Sequence, residues 1–473
     1  MTDIKTEIAV VGSGPGGYTA AFYAADRGKR VVLIESSDRL GGVCLNHGCI
    51  PSKAFLHASH LIREARESGF RGIDFGSPKI DLEKMRAWKD SILHKLGSGI
   101  RELAKKRDVE IMHGRGCFEN SKTLRVDTAG GKKFVHFEKA IIATGSKPAL
   151  PSDFDLGGGC IMTSTQALEC KEVPNSLLIV GAGYIGMELG TVYAALGSQI
   201  VVAEVLENIL TGADPDLALY VMKSAQTNFK EIRLNTHVAG ITAESGKIKV
   251  TFEAGDASRT EELFDRVLVS VGRTPNTEDL GLEHTKVQKD EKGFIQVNEA
   301  KQTSDPEIYA VGDAAGGMLL AHKAAKEARI AVDSIAGVKS NPEKIVIPAV
   351  VFTDPEVAWC GLTESEARKR GIDVVVSRFS WAASGRALTM DRPDGLTKLV
   401  LDPKTERILG MGVAGYGAAE LIGEGVLAVQ KNMTARDLAD AVHPHPTLSE
   451  TISECAEAFY GFSASAYPRR RHQ

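Results

Sequence analysis

Long apolar runs are missing from this 473-residue chain. No window approaches the ~18 consecutive apolar residues that a membrane-spanning helix needs, so no membrane partner is expected. An excess of positive charge is missing too. Lys and Arg number 57 against 61 Asp and Glu, a net charge of −4, so no nucleic-acid partner is implied. The one basic cluster, Arg469-Arg470-Arg471, reads as the solvated end of the chain. Cysteine is sparse and odd in number, seven in all, which is not the framework of a secreted disulfide scaffold. Five of them, Cys117, Cys160, Cys170, Cys360 and Cys455, lack metal-ligand or redox spacing and read as small buried apolar residues, so no metal is expected. The segment Met1 to Lys5 is polar and lacks the pattern of a signal or transit peptide, which makes the cytoplasm the expected compartment.

What is present is an ordinary globular composition, 43% hydrophobic and 25% charged. At ~150 residues per domain the length suggests about three domains. The apolar run Ile8 to Val11 is followed by glycines, a helical stretch Tyr18 to Arg27, and a second run, Arg30 to Ile34, ending at Glu35. The same order returns with Leu177 to Val180, a glycine cluster, Met187 to Leu196, and Gln199 to Ala203 ending at Glu204. A repeated strand-helix-strand unit implies parallel, doubly wound sheets. Between the two lie a helical segment, roughly Asp81 to Lys106, and strand-like stretches at Thr123 to Val126 and Ala140 to Ala143. Pro148, Pro151 and the Gly157–Gly159 run mark a linker. From about Ile345 strands (Ala349–Phe352, Lys398–Leu401, Ile408–Val413) precede helices (Ala418–Gln430, Ala435–Ala441), the pattern of a separate α+β domain. The predicted fold class is therefore α/β, with two Rossmann-like dinucleotide-binding domains and a C-terminal α+β domain.

Gly12-Ser13-Gly14-Pro15-Gly16-Gly17 carries G-x-G-x-x-G directly after a strand, with Glu35 at the end of the next. The first glycine allows the tight turn, the second lets the backbone approach a pyrophosphate, and the third lets helix and strand pack closely. The carboxylate accepts from a ribose hydroxyl. Gly181-Ala182-Gly183-Tyr184-Ile185-Gly186 repeats the device, with Glu204 as the acid. Two such units imply two dinucleotides. Glu204 favours NAD, because a carboxylate repels the 2′-phosphate of NADP, and Val205-Leu206-Glu207 offers no arginine to hold it.

Cys44-Leu45-Asn46-His47-Gly48-Cys49 is the most informative segment. Residues five apart in a regular helix have Cα atoms roughly 8–9 Å apart. A disulfide needs ~4.4–6.8 Å, so the two can bridge only where the helix is distorted. Gly48 and Pro51 supply the means, and a thiolate near the new helix start is stabilised by its dipole. Two unlinked thiols or a metal site are the other readings; His47 alone does not complete a two-cysteine zinc site. Near the C-terminus, His443-Pro444-His445-Pro446-Thr447-Leu448-Ser449-Glu450 places Glu450 about one turn into a helix expected to start near Pro446. There it can accept from His445, and an oriented His–Glu pair is a general acid/base. Pro-flanked histidines are otherwise commonly surface turn residues.

Together these residues resemble the flavoprotein disulfide reductases, the pyridine nucleotide-disulfide oxidoreductase family. Gly41-Gly42-Val43-Cys44 through Pro51-Ser52-Lys53 carries the resemblance, with His445-Pro446-Thr447 and Glu450. So do Ala143-Thr144-Gly145-Ser146, Val271-Gly272-Arg273-Thr274-Pro275-Asn276, Tyr309-Ala310-Val311-Gly312-Asp313, Ala321-His322-Lys323 and Phe352-Thr353-Asp354-Pro355-Glu356-Val357-Ala358. The likeness covers essentially the whole chain. It implies an FAD-binding domain over 1–150, an NAD-binding domain over 151–275, a return to the FAD domain over 276–345, and a dimerisation domain over 346–473. FAD would be held by Gly12, Gly14, Gly17, Glu35, Lys53, Gly116, Asp313 and Ala321, and NAD by Gly181, Gly183, Gly186, Glu204, Val238, Gly272 and Arg273.

The resemblance further implies that Cys44 and Cys49 form a redox-active disulfide, Cys44 exchanging with substrate and Cys49 facing the flavin. Lys53 would pair with Glu188, and a homodimer would supply His445 and Glu450 to the partner's active site. The implied substrate is a protein-bound dihydrolipoyl dithiol, carried on the lipoyl domains and acyltransferase core of 2-oxo acid dehydrogenase complexes or on the glycine cleavage H protein. Glutathione- or mercuric-reductase-like activity and a soluble flavin NADH dehydrogenase are the alternatives. Two residues depart from the usual pattern: His47, where an apolar residue is usual, and Tyr184, inside the second glycine turn.

Overall fold

Val31–Glu35 reads Val-Val-Leu-Ile-Glu and is buried at every position, the signature of a strand covered on both faces of a parallel sheet. The computed structural model describes residues 3–154, 156, 159–338 and 345–465. The Arg469–Arg471 cluster and Gly157 and Gly158 of the expected linker lie outside them. Val31–Glu35 pairs in parallel with Ile4–Val11 and with Glu110–His113, and Ile4–Val11 pairs in parallel with Gly131–Ile142. Thr123–Thr128 and Arg115–Asn120 extend this sheet antiparallel, and Ile308–Ala310 returns from far along the chain to pair with Gly131–Ile142.

The second unit is a parallel sheet in the order Glu231–Arg233, Gln199–Ala203, Ser176–Val180, Arg266–Val269, Ile161–Met162. A three-stranded antiparallel sheet (Thr236–Glu244, Lys247–Ala254, Arg259–Phe264) packs on it. The C-terminal sheet is antiparallel throughout, in the order Ala349–Val351, Glu356–Gly361, Ile408–Gly415, Leu396–Leu401, Val375–Ser380. Among the described residues no helix is long and apolar enough to cross a membrane.

The two glycine turns are sterically equivalent. Gly12 and Gly181 both sit at φ +99°, where an added Cβ would lie 2.4 Å from the Ala143 carbonyl oxygen and 2.8 Å from that of Ser270. A Cβ on Gly17 would fall 1.7 Å from the Gly12 oxygen, and one on Gly186 2.1 Å from the Gly181 oxygen. Only glycine lets each helix start this close to its strand. The middle glycines differ. Gly183 meets nothing within 4 Å, and Gly14 only the Gly42 Cα at 3.9 Å, so open space lies above each turn.

Several helix boundaries depart from the sequence reading: the helices after the two glycine turns start earlier, at Pro15 and Tyr184, and two C-terminal helices differ as well. The last long helix runs Glu450–Tyr460 and does not begin near Pro446. The Thr447 N–H donates to the Glu450 side chain at 2.7 Å, ahead of the first helical turn. The expected Ala435–Ala441 helix ends at Ala439.

One core ties the units together. Phe55 and Leu56, on the helix that starts at Cys49, pack with Met187 and Leu189 beyond the second glycine turn and with Val351 and Val357 of the C-terminal sheet. An ion cluster adds to this: Lys398, 1% exposed, meets Asp214 at 2.9 Å, Asp216 at 3.0 Å and Glu364 at 2.6 Å.

Candidate active site

The expected helix distortion lies at Gly48. One helix, Gly42–His47, ends there, and a second, Cys49–Glu67, begins. Gly48 adopts φ −143° and ψ −112°, away from helical values, which swings Cys49 back toward Cys44. Both cysteines are free thiols, and a side-chain hydrogen bond between them links their titrations. That hydrogen bond is the largest influence pulling Cys49 down to about 7. Burial opposes it, and the Lys53 ammonium assists. Cys44 is pushed far up by holding the shared proton, with burial adding to the effect. Cys49 is exposed and opens onto a cavity. In the dithiol form Cys49 is thus the more acidic thiol of the pair.

That cavity, about 600 Å³, is the size of a cofactor site. Gly12, Gly14, Glu35, Lys53, Gly116, Asp313 and Ala321 line it together with both cysteines. Gly17 stands behind them at the helix–strand contact. Glu35 is positioned by Ser13, whose main-chain N–H and hydroxyl reach one carboxylate oxygen at 2.8 and 2.6 Å, while the Ser37 N–H reaches the other at 2.8 Å. Glu204 repeats this at the second turn, accepting from the Ala182 N–H at 2.7 Å and the Leu206 N–H at 3.0 Å. Gly272, at φ +129°, has open space around it. Val238 is buried at 5% exposure in the core beside the second sheet. Arg273 stands near Tyr184 of the second turn. Its guanidinium donates to the Ser146 hydroxyl and carbonyl, each at 2.7 Å, and stands 3.8 Å from Asp313 on the first cavity's wall.

Lys53 and Glu188 form an ion pair at 2.8 Å, with the glutamate side chain 4% exposed. Glu188 also accepts from the Ser52 hydroxyl at 2.9 Å and from the Phe352 N–H at 3.0 Å, and the Phe352 ring lies 4.4 Å from the ammonium. Sequence reasoning assigned no role to Ser13, Ser52, Ser146 or Phe352. Ser52, Ser146 and Phe352 lie inside the segments that carry the family likeness, which was the available signal.

His445 and Glu450 pair at 2.9 Å, and Glu450 also accepts the Thr447 N–H. Burial works against the Glu450 charge, but these two bonds outweigh it and hold the carboxyl below its usual range. The His445 side chain is 80% exposed and does not line the dithiol cavity, so one chain does not bring His445 to Cys44. His443 is different, with only 9% of its side chain exposed and its Nε2 2.9 Å from Glu424. Among the described residues no group of three or more His, Cys, Asp or Glu side chains is placed to hold a metal ion.

Paired glycine-turn units, a dithiol in one cavity and a separate C-terminal sheet define a nucleotide-dependent disulfide oxidoreductase. Residues 6–328 match the family model for pyridine nucleotide-disulphide oxidoreductase, and residues 347–456 match that family's dimerisation domain; the chain belongs to this family. It is 43% identical over 459 residues to a dihydrolipoyl dehydrogenase of Vibrio cholerae, covering 97% of this chain and 96% of that protein. It is 42% identical over 458 residues to a dihydrolipoyl dehydrogenase of Geobacillus stearothermophilus, covering 97% of each. Among solved structures it resembles LpdA of Mycobacterium tuberculosis, with TM-score 0.88, 27% identity, and 96% of this chain and 99% of that one covered. It also resembles the HOCl-induced flavoprotein disulfide reductase RclA of Escherichia coli in its Cu(II) complex, with TM-score 0.86, 27% identity, and coverages of 97% and 99%.

Proposed function

We propose that the chain is a dihydrolipoyl dehydrogenase, oxidising a protein-bound dihydrolipoyl group with NAD as final acceptor. The observation that carries this reading is the Cys44–Cys49 pair. Two free thiols five residues apart, separated by the helix break at Gly48, line one cofactor-sized cavity.

The cavity fits FAD on its own geometry. Space lies above Gly14, the turn is closed by Gly12 and Gly17, and Glu35 is fixed by Ser13 to receive a ribose hydroxyl. Lys53, Gly116, Asp313 and Ala321 complete the walls. NAD would take the second turn, through Gly181, Gly183, Gly186 and Glu204, with Gly272 and Val238 alongside. Arg273 would serve the NAD side from beside Tyr184 while also holding Ser146 on the flavin side. Bound there, a flavin supplies the two-electron step between the dithiol and the nicotinamide. Residues 1–150 and 276–345 form the FAD unit in this reading, 151–275 the NAD unit and 346–473 the dimer interface.

The chain's own residues handle the thiols and protons. In the oxidised enzyme Cys44 and Cys49 form a disulfide. His445 of the partner subunit takes a proton from one substrate thiol, and the thiolate attacks the Cys44 sulfur. The Cys44–Cys49 bond breaks, leaving Cys44 in a mixed disulfide with the substrate and releasing Cys49 as a thiolate that the Lys53 ammonium stabilises. The second substrate thiol displaces Cys44 and closes the lipoyl disulfide. Two electrons leave the substrate and reside on the Cys44–Cys49 dithiol. Glu450 orients the His445 ring and stabilises its charged form. The partners in this reading are a second copy of the chain and the lipoyl domains and acyltransferase core of a 2-oxo acid dehydrogenase complex, or the glycine cleavage H protein. The compartment is the cytoplasm.

Assay of NAD reduction with free dihydrolipoamide, against NADPH oxidation with glutathione disulfide, tests the proposal. Robust activity in the first and background in the second is expected; the reverse result would sink it.

A further inference from the structure

The core of the C-terminal unit is apolar around Leu399, Met411, Val413 and Ile452, yet the polar groups of Trp381, Thr397 and Thr451 run through it fully buried. The Trp381 indole N–H donates to the Thr397 hydroxyl at 2.9 Å. The Thr397 hydroxyl donates to that of Thr451 at 2.8 Å, and the Thr451 hydroxyl donates to the Leu448 carbonyl at 2.7 Å. An indole N–H can only donate and a carbonyl can only accept, so both hydroxyl protons have one direction. The first donor is itself fixed. The Trp381 main-chain N–H donates to the Gly395 carbonyl at 3.0 Å, and a Cβ on Gly395 or Gly415 would lie 2.4 Å from the indole ring. The last acceptor lies inside the cap that carries the His–Glu pair. Leu448 stands between Thr447, whose N–H Glu450 accepts, and Glu450, which holds His445. One turn further on, the Cys455 thiol donates to the Thr397 carbonyl at 3.4 Å, so one residue of the strand Leu396–Leu401 grips the helix Glu450–Tyr460 twice.

Apolar groups of the same shape would fill this space at nearly equal stability. What a fully satisfied buried chain adds is a single arrangement. We propose that Trp381, Thr397 and Thr451 are positioning residues for the general base: their relay sets where the helix Glu450–Tyr460 begins, and so where Glu450 aims His445. None of the three lines the dithiol cavity. The inference rests on the reading of His445 as the base in dithiol oxidation. Misplacement of a reacting group by ~1 Å can cost ~10²-fold in rate, so a shift in this cap is felt at the thiol.

Thr451→Val in the FAD-loaded enzyme keeps the side-chain shape and removes the hydroxyl; Thr451→Ser restores it. Thr451→Val should lower kcat for dihydrolipoamide oxidation by about tenfold or more with KM near the wild-type value, and Thr451→Ser should recover most of it. The loss should be confined to the dithiol half, since NADH-to-dye electron transfer bypasses the thiols. Hydrogen exchange across Thr447 to Ile452, read by mass spectrometry without turnover, is the second arm. It should quicken in Thr451→Val, where Glu450 holds the Thr447 N–H less firmly, and return in Thr451→Ser. Trp381→Phe removes only the first donor and should act in the same direction more weakly; it carries the comparison if Thr451→Val does not fold. A wild type inactive toward dihydrolipoamide sinks the reading of the base, and the exchange arm then decides the relay by itself. Wild-type kcat in Thr451→Val, equal losses in the valine and serine variants, or unchanged exchange across Thr447 to Ile452 would overturn the relay.

Discussion

The Glu188 carboxylate accepts the main-chain N–H of Phe352 at 3.0 Å, so the C-terminal sheet's own segment grips the acid that holds Lys53 beside the dithiol. Glu188 pushes the Cys49 pKa up and Lys53 pulls it down. Removing the negative charge therefore leaves the lowering influence unopposed. Glu188→Gln keeps a polar partner for Ser52 and Phe352 and should lower the Cys49 pKa below about 7. The pH dependence of Cys49 alkylation by iodoacetamide, read by mass spectrometry, reports it. A midpoint moved upward would show that Lys53 strays once Glu188 is neutral.

Cys44 and Cys49 share one proton, and this gives a second prediction. The Cys44 S–H bond is the largest cause of the Cys49 shift. Cys44→Ala deletes the donor, and the Cys49 midpoint should rise from about 7 toward the ordinary thiol value of ~8.5. Cys44→Ser retains an O–H donor and should stay nearer the wild type. Both variants should lose dithiol oxidation while keeping bound flavin, because the glycine turn and Glu35 are untouched. Equal midpoints for the alanine and serine variants would remove the hydrogen bond as the cause.

Much of this arrangement was legible beforehand, and the reasons differ by residue. The break at Gly48 followed from geometry, since cysteines five apart in an unbroken helix cannot meet. Gly12 and Gly17, and their repeats Gly181 and Gly186, were readable because a turn packed this tightly excludes every other residue. Lys53 with Glu188 came from family likeness; residues so far apart in sequence leave no periodic signal. The Phe352 N–H was illegible for a related reason, because every residue except proline carries that donor. Arg273 holds Ser146 and also stands near Tyr184 of the second turn, a double placement that its neighbour Gly272 does not announce. The last helix starts at Glu450, after the Thr447 N–H that Glu450 caps, a start that the Pro-flanked histidines do not announce.

Glu204 carries the cofactor preference. Its two oxygens are already held by the Ala182 and Leu206 N–H groups, which fixes the carboxylate where a 2′-phosphate would meet it. Wild type should turn over NAD far better than NADP at matched concentrations. Glu204→Gln keeps an acceptor but removes the repulsion, and should narrow the ratio of kcat/KM values by about tenfold or more, the scale of one charged contact. An unchanged ratio would place the discrimination elsewhere.

Glu356 makes stability depend on pH. Burial, with the nearby acids Glu420, Asp354 and Glu188, raises it to about 7, despite the Ala419 N–H it accepts. A carboxyl whose folded pKa exceeds its unfolded value favours folding below the unfolded value, near 4.5, and loses that contribution as pH rises through about 7. Glu356→Gln mimics the neutral acid. It should raise the Tm relative to wild type at pH 8 and change it little at pH 4.5. Calorimetry at the two pH values checks this, and a gain of equal size at both would exclude titration as the cause.

His445 supplies the test of base and dimer together. Its side chain is 80% exposed, its Nδ1 is held by Glu450 at 2.9 Å, and it stands outside the cavity that holds Cys44 and Cys49. A single chain therefore offers the dithiol no imidazole from this segment, while residues 347–456 match a dimerisation domain. An alkyl thiol near pKa ~8.5 is mostly protonated at neutral pH, and an imidazole near ~6.5 is suited to accept its proton. General-base loss typically costs ~10²–10⁴-fold, so His445→Gln should lie in or beyond that range for dithiol oxidation. Electron transfer from NADH to a dye bypasses the thiols and should stay largely intact. Glu450→Gln should be milder, because the ring keeps a hydrogen-bonding partner. Mixing inactive Cys44→Ser chains with inactive His445→Gln chains and allowing subunits to exchange isolates the geometry. A mixed dimer that draws each site from both chains holds one site with neither substitution, and activity returns. If mixed dimers are shown by mass spectrometry and activity stays at the parental background, His445 does not act across the interface.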